Sequence, residues 1–481
     1  MSSVEIPGGQ GISRRRLMKA GAAVGATMVI GGAREPSARR EATPGMRVGV
    51  IGGGMAGLET AWLLDGIHTV TVLERDEFVG GHAESVVVDV GDDVHWVDVG
   101  AQYFARRSYP NFWKLVTDTL RLPIVPANMT IAMWQHGAPG LTFSSVDPSA
   151  QLDNAVALLT FTTAAQADWA GPQRLGTGDW STTLGQYVDQ LDLSPTATST
   201  VIYPLLAALN GTSTEENKAV AARGGVAFLA RPVDLADPLG VNYHNVADGL
   251  QAVAEALIGQ LTTTDIHTSA EIVGVSRTGD EFTATAADGR QFTFDEIVLA
   301  LPPEPASRLA EQLGAGGVGI AEIYGRQQYF SASVAIHTDS IYMPTDPAHW
   351  ASYNARNDGD QCEASMWYGA IQDRAAGLPV FKSWTTNRRE PPTSVLANRE
   401  YRHPNITPAF IAAQRSLAEI QGDEGIWFAG THTFDVDSQE SALVSACIVA
   451  AGLAPQSTRL VALAPVIEPI WESHRAPVRT R

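Results

Sequence analysis

The sequence predicts an α/β chain in which a parallel sheet shaped for a dinucleotide is interleaved with a second, α+β domain. Three observations carry this: a strand that breaks on a glycine-rich turn, an acid closing the next strand, and, near the far end, an apolar strand followed by a helix of small residues. With 481 residues, 44% hydrophobic and 18% charged, the chain can bury a core of about two domains, and general disorder is excluded.

Ahead of the fold stands "SRRRLMKAGAAVGATMVIGGA", residues 13–33. Arg14, Arg15 and Arg16 precede Leu17 and Lys19, and a run of small apolar residues follows. The run is shorter than the roughly 20 residues a membrane-spanning helix needs, so residues 1–33 read as a cleaved targeting peptide rather than an anchor. The arginines resemble the twin-arginine signal of bacteria, which implies export of an already folded protein by that machinery. A disordered basic tail that binds anionic surfaces is the alternative. Folded export fits a chain that takes up a cofactor in the cytoplasm and works on the extracellular or periplasmic side.

The cofactor signal comes next. In "MRVGVIGGGMAGLETAWLL" an apolar strand, Val48 to Ile51, turns through glycines into a helix, the G-x-G-x-x-G pattern of a Rossmann-type fold. Gly52 allows the tight turn, Gly54 admits a pyrophosphate close to the backbone, and Gly57 permits close helix-to-strand packing. Met55 and Ala56 open the helix, whose N–H groups and dipole suit phosphate. The strand in "HTVTVLER" ends in Glu74, 22 positions after Gly52, where a carboxylate accepts from ribose hydroxyls; Arg75 follows it.

"ERDEFVGGHAESV" then places Gly80, Gly81 and His82 where a second glycine turn is found in FAD-binding amine oxidases, phytoene desaturases and protoporphyrinogen oxidases, which the chain resembles. Those families usually carry arginine where His82 stands; histidine is found in a bacterial branch described as FAD/NAD-binding oxidoreductases. A surface turn or packing role for His82 stays open. "GIWFAGTHTFDVDSQESALVSACIVAAGLA" is similar to the flavin-proximal motif of amine oxidases. The resemblance implies non-covalent FAD, with Gly430 and Thr431 by the ribityl chain and the helix start at Glu440, Ser441 and Ala442 by the flavin's pyrimidine edge. It also implies that Val273 contacts adenine through its backbone.

The resemblance covers about residues 47–453 and implies interleaved domains: FAD-binding parts at 47–105, 241–305 and 386–455, a helical cap at 106–240, a substrate sheet at 306–385, and a tail at 456–481 that matches nothing. Period-2 patterning with an Asp288-Gly289 turn predicts strands, followed by a buried strand that ends at Leu301-Pro302-Pro303. Family-like stretches hold the pocket candidates Tyr103, His337, Tyr342, Trp350 and Asn354, each of which also reads as core or as a structural hydrogen-bonding group. Amine oxidases often hold a lysine-bound water at flavin N5. Here Lys19, Lys114, Lys218 and Lys382 are the only lysines, and none falls on the strand expected near Gly319 to Phe330.

The formal charge is −19, and −22 once residues 1–33 are removed, so nucleic acid and anionic lipid are poor partners. Cys362 and Cys447 make no disulfide framework, no Cys/His spacing marks a metal, and Cys447 reads as a buried thiol. Three functions stay open: an exported FAD oxidase or dehydrogenase acting on an amine or other activated C–H bond, with oxygen or a quinone as acceptor; a flavin-dependent isomerase or desaturase of unsaturated lipids; and a non-enzymatic flavin-binding module.

Overall fold

The computed structural model describes residues 44–465, apart from 91–92, 148–150, 171–179, 232, 235–236 and 242. The expected signal peptide lies outside the described residues.

Five strands and two helices build the first layer: β1 (Arg47–Ile51), α1 (Met55–Leu64), β2 (Thr69–Leu73), β3 (Asp265–His267), β4 (Glu296–Leu299), β5 (Ile426–Phe428) and α2 (Gln439–Leu453). The sheet runs in the order β3-β2-β1-β4-β5, and every pair is parallel. Such strands are covered on both faces and read as unbroken apolar runs. Val48, Val50, Val72 and Val298 meet α1 and α2 on one side. Ile51, Leu73, Leu299 and Phe428 meet Phe294 and the helices Pro303–Ala310 and Gly314–Tyr324 on the other.

The second layer is a seven-stranded sheet, in spatial order Val395–Pro404, Tyr329–His337, Phe381–Trp384, Gln361–Trp367, Tyr353–Asp358, Ile131–Gln135 and Phe143–Ser144. All neighbours are antiparallel except Tyr353–Asp358 beside Ile131–Gln135. Helices between Leu152 and Ala230 cover one end of it, where Tyr353, Ala355 and Ala364 pack against Leu205, Leu206 and Val226.

The elements divide differently from the expected boundaries at four places. Val395–Pro404 belongs to the second sheet although the sequence places it in the last FAD-binding part, because it pairs along all of Tyr329–His337. The cap region contributes two strands to that sheet. The stretch 303–324 is helical and packs under the first sheet, so no strand begins before Tyr329. The tail also begins later than expected: Ser457 donates to the Leu63 carbonyl at 2.7 Å and Arg459 to that of Trp62 at 2.6 Å, so the helix Thr458–Leu463 docks on the end of α1.

Candidate active site

The glycine turn has the shape its spacing predicts. Gly52 has φ +108°, and a Cβ there would lie 2.4 Å from the Ala300 carbonyl oxygen. A Cβ on Gly57 would lie 2.0 Å from the Gly52 oxygen, so α1 crosses the strand end at backbone contact. At Gly54, the residue preceding α1, a Cβ would meet nothing within 4 Å, and no side chain caps the helix. An open Cβ position beside uncapped N–H groups of Met55 and Ala56 is a cradle for an anion.

Glu74 closes β2 as expected and takes the Gly53 N–H on Oε2 at 2.6 Å and the Asp76 N–H on Oε1 at 2.9 Å. Burial pushes its carboxyl up against the pull of those N–H groups. Arg75 points outward to Asp76. The second glycine turn closes over the first: the Gly80 N–H donates to the Gly53 carbonyl at 2.8 Å, and Gly81, at φ +58°, sits against Gly54. Val273 is the unpaired residue of a bulge, half exposed, with its carbonyl accepting from Gln312.

The C-terminal motif is placed as expected but used differently. Gly430, at φ +132°, ends the strand, and Thr431 begins the turn. Ser438 caps α2 by accepting from the Ser441 N–H, and the Ala442 N–H bonds the Ser438 carbonyl. Those two N–H groups are thus consumed within the cap, and the free donors at this helix start belong to Gln439 and Glu440. The Glu440 carboxylate is also engaged: it accepts from the backbone of Asn111 and Phe112 and from Asn111 Nδ2, pinning the helix Pro110–Lys114 to α2. Burial pushes it up to about 7, opposed by these donors.

Among the pocket candidates the second sheet separates two groups by parity, since side chains alternate between faces. The pairs Phe330 with His403, Val334 with Trp384 and Ile336 with Lys382 share the face turned toward the first layer. His337 pairs with Phe381, and Asn354 with Ser365, on the opposite face. Tyr342 and Trp350 pack on that outer face against His337 and Phe381. Each has a structural partner there: His337 bonds Ser383 Oγ at 2.8 Å, Asn354 holds the Ala351 backbone, Trp350 donates to the Pro344 carbonyl and Tyr342 to that of Glu390. Burial lowers His337 to about 4, so it stays neutral. Only Tyr103 of the five lies inward, its ring 5.9 Å from that of Tyr243.

The inward face holds groups that the sequence reading passed over. Lys382 is buried, donates to the Gly100 carbonyl at 2.5 Å, and is brought down to about 8 by desolvation. The lysine-free stretch near Gly319 to Phe330 ends in a turn where Gln327 donates to the His432 carbonyl. His82 packs its ring against Tyr401 at 4.6 Å and His403 at 5.2 Å. His403 Nδ1 meets Asp437 Oδ2 at 2.9 Å, and Trp384 and Phe330 flank its ring at 5.4 and 5.9 Å. The second glycine turn announces His82, but His403 and Asp437 come from two further segments, so no local spacing brings the three together.

A parallel sheet with an anion cradle at its glycine turn, a carboxylate at the next strand end and a second sheet facing both defines a dinucleotide-cofactor enzyme fold. The family model of flavin containing amine oxidoreductases matches residues 55–397, and the chain belongs to that family. It is an FAD-dependent oxidoreductase. No curated protein matches the sequence. Among the solved structures that share the fold are a candidate protoporphyrinogen oxidase from Exiguobacterium sp. 255-15 (16% identity, 87% of this chain, 98% of that one, TM-score 0.58); a triple mutant of putrescine oxidase (13%, 86%, 99%, TM-score 0.59); and a CLA-producing fatty acid isomerase from P. acnes (15%, 84%, 98%, TM-score 0.57). The open face of Gly54 and the uncapped start of α1 fit the pyrophosphate of FAD.

Proposed function

We propose that this chain is an exported, non-covalent FAD oxidase or dehydrogenase acting on an amine or another activated C–H bond, with oxygen or a quinone as final electron acceptor. The inward face of the second sheet carries the reading: Phe330, Trp384 and Tyr401 form an aromatic surface across from the glycine turns, and His403 and Lys382 interrupt it. When bound, FAD supplies a hydride acceptor, and the protein's task is to position the C–H bond and exclude water. In this reading Gly54, Met55 and Ala56 hold the pyrophosphate, Glu74 the ribose, Gly430 and Thr431 the ribityl chain, and the open N–H groups of Gln439 and Glu440 the pyrimidine edge. The aromatic surface admits an apolar substrate body and leaves polar contact to His403, Asp437 and Lys382.

A second reading, isomerisation or desaturation of an unsaturated lipid, is favoured by the apolar share of the same face, Val334 and Ile336 included. The likeness to a fatty acid isomerase agrees with it. The non-enzymatic module finds no support in a chain of this family.

One experiment tests both readings. The purified yellow protein is mixed anaerobically with amines, amino acids and unsaturated fatty acids while flavin absorbance is followed, and products are analysed. Bleaching by an amine supports the first reading, and double-bond migration without net oxidation supports the second. Export is tested by replacing Arg14, Arg15 and Arg16 with lysine, which should hold the flavin-loaded protein in the cytoplasm. NADH and NADPH should leave the purified flavin oxidised, because the single dinucleotide fingerprint is taken by FAD.

A further inference from the structure

His82, His403 and Asp437 converge from the second glycine turn, the second sheet's edge strand and the turn before α2. His403 presents one ring nitrogen to Asp437 and, among the described residues, has no hydrogen bond on the other. The side chains of His403 and Asp437 stay 24% and 28% exposed although Tyr401, Phe434 and Val436 around them are buried, so a ligand can reach them. Their surroundings are otherwise aromatic: Trp384 and Phe330 flank His403, and Tyr401 spends its hydroxyl on Glu84, which also binds Arg399.

The charge states are ordered. Against the cost of desolvation, hydrogen bonds with His403 and with the Thr431 hydroxyl hold the Asp437 carboxyl below its usual range. Burial, with His403 nearby, lowers His82 to about 4, so it stays neutral. An ionised carboxylate at Nδ1 selects the tautomer with hydrogen on Nδ1 and a bare lone pair on Nε2.

We propose that His403 is the proton acceptor on the inward face of the second sheet, receiving at Nε2 the N–H or O–H proton of the substrate, with Asp437 as its positioning residue. The proposal rests on the oxidoreductase reading above. The substrate's N–H or O–H bond breaks, its proton forms the Nε2–H bond, and the electron pair left on the substrate becomes the new double bond as the hydride departs to the flavin. Substrates bearing an ionisable N–H or O–H beside the oxidised carbon are therefore the class this site serves.

The first test needs no substrate. In flavin-loaded protein labelled with 15N-histidine, His403 should show a protonated Nδ1 and a bare Nε2, and Asp437→Asn should mix the tautomers. A wild-type His403 protonated on Nε2 alone overturns the proposal. The second test uses the compound that bleaches the flavin anaerobically. His403→Gln should slow bleaching by about 10²–10⁴-fold with half-saturation nearly unchanged, and imidazole should restore part of the rate to His403→Ala. Asp437→Glu should recover most of what Asp437→Asn loses. A His403→Gln protein with full flavin content that bleaches within about threefold of wild type overturns the proposal. So does stoichiometric zinc in the purified protein that His82→Ala removes, which would make the cluster a metal site. If no compound bleaches the flavin, the oxidoreductase reading fails first, and the tautomer measurement still decides for or against His403.

Discussion

The two sheets of this protein keep their chemistry in different places. The first sheet is buried on both faces, so its strands carry only packing, and its chemistry lies in the turns beyond β1, β2 and β5. The second sheet has an inward and an outward face, so its chemistry depends on which face a residue takes. A turn is read from spacing along the chain. A face is read from phase, and a shift of one residue sends a side chain to the opposite side. The candidates His337 and Asn354 fall on the outward face for this reason, and Tyr342 and Trp350 pack against that face from the segment between their strands, while Lys382 and His403 stand inward.

The sharpest way to test the turn side of the comparison is to set two glycines of one motif against each other. Gly57→Val forces a Cβ into the Gly52 carbonyl and should cost about 3 kcal/mol of stability, read by denaturant unfolding of the apoprotein. The Cβ of Gly54→Val meets no atom of the described residues within 4 Å; the substitution should change the apoprotein's unfolding midpoint far less than Gly57→Val and reduce bound flavin to about a tenth or less. A flavin-replete Gly54 variant would show that the cradle is not where the pyrophosphate lies.

The face side is tested by Asn354→Ala. It leaves the Ala351 N–H without its acceptor and should cost about 2 kcal/mol while the flavin spectrum stays unchanged. A shifted flavin spectrum would mean that the outward face communicates with the site.

The smallest effect expected is a slope. Glu440 has a folded-state value of about 7, above the ordinary 4.5, so folding takes up a proton between those values. The stability it contributes is fully present below about 4.5 and is lost as pH rises through about 7. The melting temperature should fall across that window, and Glu440→Gln should flatten the fall. An unchanged slope would assign it to Glu59, which is fully buried beside Glu440 with neither carboxylate oxygen hydrogen-bonded.

By itself the sequence determined the glycine turns, the acid at the end of β2 and the start of α2. Each of these is a local backbone requirement, met only by particular residue types at short spacing. Tertiary structure alone decided the rest. The membership of Val395–Pro404 in the second sheet rests on pairing with a strand far away in the chain. The Glu440 carboxylate turned from a presumed cofactor neighbour into a staple because Asn111 and Phe112 offer it three N–H donors. His82, His403 and Asp437 met because two glycine-bearing turns and one strand edge end at the same place. Convergence of this kind depends on long-range packing, which no spacing in the chain encodes.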